Sequence, residues 1–132
     1  MSDISTGNSK TAPCILAIDD EPDMLDIVRQ FLECEGFTVL TATDPKSGLE
    51  LYEKRYRDID VVLLDYMMPE MSGDTVFEYL QRINPDVRVI LLTACDDHVA
   101  EPLFERGLRG YIAKPFYFED FVQKIRDQIE SL

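Results

Sequence analysis

Positive charge is scarce in this chain. Its 132 residues carry 13 Lys and Arg against 26 Asp and Glu, a formal charge of -13. A surface so poor in cations cannot neutralise a phosphate backbone or an anionic bilayer, so direct binding to DNA, RNA or membranes is not expected. Histidine occurs once, at His98, and reads as an ordinary surface residue, so nothing resembles a zinc site. Cysteine occurs three times, at Cys14, Cys34 and Cys95, at no spacing that suits a metal site or a disulfide framework. Cys14 and Cys34 read as small apolar fillers in a reducing compartment. No run approaches the ~18 apolar residues of a membrane span, and the N-terminus lacks the basic-then-apolar pattern of a signal peptide. No glycine-rich loop follows the first strand, which argues against a nucleotide or flavin site. Internal repeats, low-complexity blocks and a second-domain linker are missing too. A single cytoplasmic domain is the expectation, with residues 1–12 a polar disordered tail and residues 13–132 the folded unit.

Short apolar runs alternate with helical patterns along the rest of the chain. CILAID from Cys14 is a strand. DDEPDMLDIVRQFLECEG follows as a helix, with Pro22 in its first turn, Met24, Ile27, Val28, Phe31 and Leu32 at helical spacing, and Gly36 as its stop. FTVLTA is a second strand, and Asp44-Pro45 opens a helix carrying Leu49, Leu51 and Tyr52. VVLLD from Val61 to Asp65 is an unbroken β-branched and leucine run, as a strand covered on both faces requires. A helix near Asp74 to Ile83 follows, with Val76, Phe77 and Leu80 facing in. VRVILLTA is the fourth strand. In CDDHVAEPLFERG, Pro102 predicts a helix that is short, late-starting or bent, since proline costs ~3 kcal/mol in a helix interior. LRGYIA is the fifth strand. The last helix, Tyr117 to Leu132, carries an inward stripe of Phe118, Phe121, Val122, Ile125 and Ile129. Five strand–helix alternations with short connections predict an α/β fold, a doubly wound five-stranded parallel sheet flanked by five helices.

Such a sheet gathers groups distant in sequence at the C-terminal strand ends. Four ends carry something polar: Asp19, Asp20 and Glu21 after the first, Asp65 after the third, Thr93 after the fourth and Lys114 after the fifth. Two charges ~4 Å apart repel by ~4 kcal/mol at an effective dielectric of 20, so several ionised carboxylates in one place call for a cation. Oxygen-only ligands suit Mg²⁺ or Mn²⁺. With such an ion present, Asp65 is a plausible nucleophile toward phosphorus, giving an acyl phosphate. Each residue alone has a plainer reading. Asp19-Asp20-Glu21 could simply be a helix cap with first-turn acids, and a threonine or aspartate ending a strand is commonplace. Their joint placement is what points to a site.

The pieces AIDDEP, VVLLDYMMPEMSG, LLTA and GYIAKPF, in this order, resemble the receiver domain of two-component response regulators over about residues 14–130. The resemblance implies the flavodoxin-like strand order 2-1-3-4-5. By it, Asp65 would accept a phosphoryl group from a phosphohistidine on a sensor histidine kinase or phosphotransfer protein. Asp20 would ligate Mg²⁺ directly and Asp19 mainly through water, with Asp65 and the Met67 backbone carbonyl completing the protein ligands. Lys114 would pair with the phosphoryl group, and Thr93 would move inward to hydrogen-bond it. Tyr111, on its own an amphipathic ring half-buried on an edge strand, would follow by turning from exposed to buried. A cis peptide would fall at Lys114-Pro115. Output would pass to a downstream protein or a second copy through the fourth helix, fifth strand and fifth helix.

Three departures from the family pattern bear on behaviour. Met67, two residues beyond the acceptor, and Cys95, two beyond the threonine, stand where polar side chains can orient a hydrolytic water. Slow autodephosphorylation is the expectation, although both residues could merely cover the site edge. The segment from Thr93 to Gly107 is about one residue shorter than usual and contains Pro102, so the fourth-helix surface and its Glu101, Glu105 and Arg106 need not match the family's. Two rival functions remain. An aspartate-nucleophile phosphohydrolase would want a second aspartate two residues on, where Met67 stands, and so lacks a proton donor. A phosphorylation-independent binding module would have no use for the intact acidic set and Lys114.

Overall fold

A computed structural model of the chain describes residues 12–94 and 97–131. Five strands, β1 (Cys14–Ile18), β2 (Thr38–Ala42), β3 (Val61–Asp65), β4 (Val89–Thr93) and β5 (Gly110–Ala113), pair in parallel in the order β2-β1-β3-β4-β5. This is the doubly wound arrangement expected. Helices α1 (Pro22–Cys34), α2 (Pro45–Arg55), α3 (Gly73–Ile83) and α4 (Glu101–Phe104) connect successive strands, and α5 (Phe118–Glu130) follows β5. Residues 1–11 of the expected tail, and Cys95, lie outside the described residues.

Every residue of β1, β3 and β4 is buried, and strand alternation sends successive side chains into two separate cores. Leu16, Ile18, Val62, Leu64, Val89 and Leu91 face Tyr52 of α2, Val76, Phe77 and Leu80 of α3, and Leu103 of α4. Ile15, Ala17, Val61, Leu63, Ile90 and Leu92 face Leu25, Val28 and Leu32 of α1 and Phe121, Val122 and Ile125 of α5. Each large side chain buried in this way contributes roughly 1.5–3 kcal/mol. Together the two layers hold the sheet rigid, so that its C-terminal edge is a fixed platform.

Helix boundaries follow local chemistry. Asp44 caps α2, its side chain accepting from the Ser47 N–H at 2.8 Å. α1 ends at Gly36, whose φ of +90° only glycine adopts at low cost. There the Gly36 N–H donates to the Glu33 carbonyl and the Phe37 N–H to the Leu32 carbonyl, satisfying two orphan acceptors. α4 is a single turn, preceded by a 3-10 turn over Asp97–Val99. Pro102 is thus deep in its segment but at the second position of its helix, where no N–H is needed. The fourth helix is short and late-starting, as its proline predicted.

Two details of α1 correct the sequence reading. Its fully buried residues are Leu25, Val28 and Leu32, with Met24 and Phe31 partly covered, whereas Ile27 is 41% exposed. Cys34, expected to be a core filler, is exposed in the last turn, while Cys14 is buried. The apolar stripe is wide enough to fit two rotations of the helix, and packing against α5 and the sheet selects the one centred on Val28. Accordingly, Leu25→Ala should cost about 2–5 kcal/mol in urea unfolding, and Ile27→Ala less than about 1 kcal/mol.

Candidate functional site

The strand ends converge as the topology requires. The Lys114 ammonium lies 3.1 Å from Asp19 Oδ2 and 3.1 Å from Asp65 Oδ1, donating to both. The three residues come from the ends of β5, β1 and β3, which are not all neighbours in the sheet; the lysine side chain reaches back across the end of β4. Asp19 and Thr93 are fully buried and Asp65 is 4% exposed. Carboxylate oxygens of Asp19, Asp20 and Asp65 lie within 4.8 Å of one another. These are hard, anionic donors on a rigid edge, and they fit a small divalent cation of the Mg²⁺ kind, which takes oxygen ligands and keeps some of its water.

Backbone bonds fix this geometry. The Asp19 N–H donates to the Ala42 carbonyl at 3.1 Å, the Tyr66 N–H to the Leu92 carbonyl at 2.9 Å, and the Lys114 N–H to the Thr93 carbonyl at 2.8 Å. Each bond extends strand pairing one residue past the sheet, so the functional side chains leave from positions held by the ladder. Asp19 Oδ1 accepts from the Glu21 N–H at 2.9 Å, which orients the other oxygen toward Lys114. The peptide bond between Lys114 and Pro115 is cis, as the resemblance implied.

Gly73 closes the loop after Asp65. Its N–H donates to the Tyr66 carbonyl at 2.7 Å. A Cβ there would lie 2.8 Å from Tyr66 Cα and 3.1 Å from the Asp65 carbonyl oxygen, too close for backbone to accommodate. In the sequence this glycine stands only as the last residue of VVLLDYMMPEMSG, and nothing there marks its close approach to the backbone. Glu21 was likewise read as a cap or first-turn acid, yet its Oε1 stands 3.6 Å from the Lys114 ammonium.

The site's charges perturb one another. Burial, followed by the neighbouring Asp19 charge, raises the Asp65 carboxyl to about 6, with Lys114 opposing the shift. Burial acts to lower the Lys114 ammonium, but the charges of Asp65 and Asp19 outweigh it, and the net direction is upward. Met67, two residues beyond Asp65, is 61% exposed. Tyr111 is partly buried on β5, an edge strand, opposite Leu91, and its ring meets Phe104 edge-on at 6.5 Å. Parallel register and alternation put it on the same sheet face as Thr93.

Comparison with known proteins shows which family carries this fold and sequence. The family model "Response regulator receiver domain" matches residues 15–126. The chain belongs to the response regulator receiver family. The response regulator SaeR of Staphylococcus aureus (strain USA300) is 34% identical over 119 residues, covering 89% of this chain and 51% of SaeR. This receiver therefore spans about half the length of the curated relatives it matches. A receiver domain protein from Clostridium thermocellum superposes with a TM-score of 0.85 at 33% identity, covering 90% of this chain and 95% of that one. TrrA of Thermotoga maritima, solved in complex with Mg²⁺ and BeF, superposes at 0.79 with 28% identity, covering 88% and 98% of the two chains. The family is a signalling module working as a phosphoacceptor switch, not an enzyme that turns over an external substrate, and this receiver shares that function. Among the described residues no helix is long and apolar enough to cross a membrane.

A raised Asp65 binds its proton more tightly folded than unfolded. Its contribution to stability is thus fully present below the ordinary carboxylate range, near pH 4, and is lost as pH rises through about 6. With a metal chelator present, urea unfolding should show wild type losing on the order of 2 kcal/mol across that window relative to Asp65→Asn.

Proposed function

We propose that Asp65 accepts a phosphoryl group from a phosphohistidine on a sensor histidine kinase or phosphotransfer protein, and that the resulting aspartyl phosphate switches a protein-binding surface. The observation that carries this reading is the Lys114 ammonium, 3.1 Å from both Asp19 and Asp65. An ammonium so placed meets the charge of a phosphoryl group added to Asp65, because one of its present partners is the acceptor itself.

Asp19, Asp20, Asp65 and the Met67 backbone carbonyl would hold Mg²⁺ (or Mn²⁺). When bound, the ion offsets carboxylate repulsion and neutralises one oxygen of the transferring group. The remaining stabilisation falls to the chain itself. A trigonal phosphoryl transition state spreads charge over three equatorial oxygens. Lys114 takes one as a point cation, and the Thr93 hydroxyl takes another, assisted by backbone N–H groups of the loop after Asp65. The attacking oxygen belongs to Asp65, the bond from phosphorus to the donor nitrogen breaks, and the donor histidine leaves.

Once formed, the aspartyl phosphate draws Thr93 toward it. Space opened on that sheet face lets Tyr111 turn inward from its place against Phe104, altering the surface of α4, β5 and α5. A shallow cavity of about 300 Å³ on that side is lined by Ile90, Phe104, Tyr111 and Lys124 among others. Its occupant would be a downstream protein or a second copy of the receiver. Glu101, Glu105 and Arg106 are all exposed there. The acidic balance of the chain argues against nucleic acid and membrane as direct partners, and a cytoplasmic setting suits a kinase-fed switch. Met67 offers no polar group to orient an attacking water, so the phosphorylated form should be long-lived.

Two measurements test this. Radiolabelled acetyl phosphate with Mg²⁺ should label wild type, and Asp65→Asn should take up no label; equal labelling of the two would refute the assignment. The labelled protein, freed of donor, should decay with a half-life of minutes or longer, and Met67→Asn should shorten it severalfold. A wild-type half-life of seconds would contradict the shielding role of Met67.

A further inference from the structure

Lys114 has a third acidic partner on its solvent side. Glu21 Oε1 lies 3.6 Å from the ammonium, and the Glu21 side chain is 64% exposed against 1% for Asp19 and 6% for Asp65. Glu21 occupies the N-cap position of α1, directly before Pro22, yet its side chain makes no capping hydrogen bond. A cap residue ordinarily turns its oxygen back to the first-turn N–H groups. Here the longer glutamate reaches over the site instead. Its backbone N–H meanwhile donates to Asp19 Oδ1, so the residue is anchored to the acidic cluster at one end and to Lys114 at the other.

We propose that Glu21 is a positioning residue that regulates phosphoryl entry, its carboxylate standing at the mouth of the site and holding Lys114 in competition with the incoming group. The inference rests on the receiver reading of Asp65. An anionic phosphodonor coming from solvent meets Glu21 before it meets Lys114, and is opposed twice: by like charge at the rim, and by having to draw the ammonium away from a carboxylate. Glu21 stands outside the cluster of Asp19, Asp20 and Asp65 whose oxygens converge for a cation, so its role separates from ion ligation. An exposed ion pair adds little to folding stability, which leaves electrostatic control of the approach as its main effect.

The test uses acetyl phosphate at saturating Mg²⁺. The Asp65 carboxylate oxygen attacks phosphorus, the bond from phosphorus to the acetyl oxygen breaks, and acetate leaves. Glu21→Gln should raise the second-order labelling rate about three- to tenfold at low ionic strength, and Glu21→Lys should raise it further. The difference should shrink toward 1 M salt, where screening acts over about 3 Å. Beryllofluoride should bind Glu21→Gln more tightly than wild type by a similar factor, as fluorine NMR would show without any turnover. Glu21→Asp, which keeps the charge, should stay near the wild-type rate. Glu21→Gln within twofold of wild type at low salt, a gain unaffected by salt, or Glu21→Asp behaving like Glu21→Gln would each overturn the proposal. If wild type labels normally in those cases, the receiver reading stands; a wild type that takes up no label overturns both.

Discussion

One ammonium shared between two buried carboxylates organises the active edge of this molecule. Asp19 and Asp65 approach each other because the sheet places the ends of β1 and β3 side by side, and two ionised acids so close are costly in a medium of low effective dielectric. Lys114 reduces that cost without removing it. The upward displacement of the Asp65 carboxyl to about 6 is the remainder. The edge is therefore arranged for a ligand with positive charge and for an added group with negative charge, and less well arranged for standing alone. Two apolar cores behind the sheet supply the stability against which this arrangement is held.

Much of the site was legible because parallel topology converts a simple pattern into proximity. Runs such as VVLLD and VILLT have to be central strands, their ends have to point the same way, and Asp65 and Thr93 therefore have to share an edge with Asp19 and Lys114. None of that inference requires side-chain detail. The family resemblance added roles that the pattern alone left open, such as the cis peptide at Lys114-Pro115.

What stayed hidden depends on rotation and on direction, which a one-dimensional pattern does not encode. The apolar stripe of α1 fits two helix rotations, and only packing shows that Leu25 rather than Ile27 is inside. An acid at a helix start satisfies the expectation of a cap so well that the turn of Glu21 toward Lys114 left no trace in the sequence. Gly73 carries no side chain to signal its role; the tight approach of its Cα to Tyr66 and Asp65 is visible only in three dimensions. Pro102 lay between these cases. It announced an unusual fourth helix, and the reason proved to be a late start that places the proline in the first turn.

Among several neighbouring acids, Asp65 is the one proposed to carry phosphorus, and its modification can be read directly. Borohydride reduces an aspartyl phosphate and leaves free carboxylates intact, so treatment of the phosphorylated protein followed by peptide mass spectrometry reads the modified position directly. Reduction to homoserine is expected at position 65 alone. Reduction at Asp19 or Asp20, or at no aspartate in a protein that has taken up phosphate, would contradict the proposal.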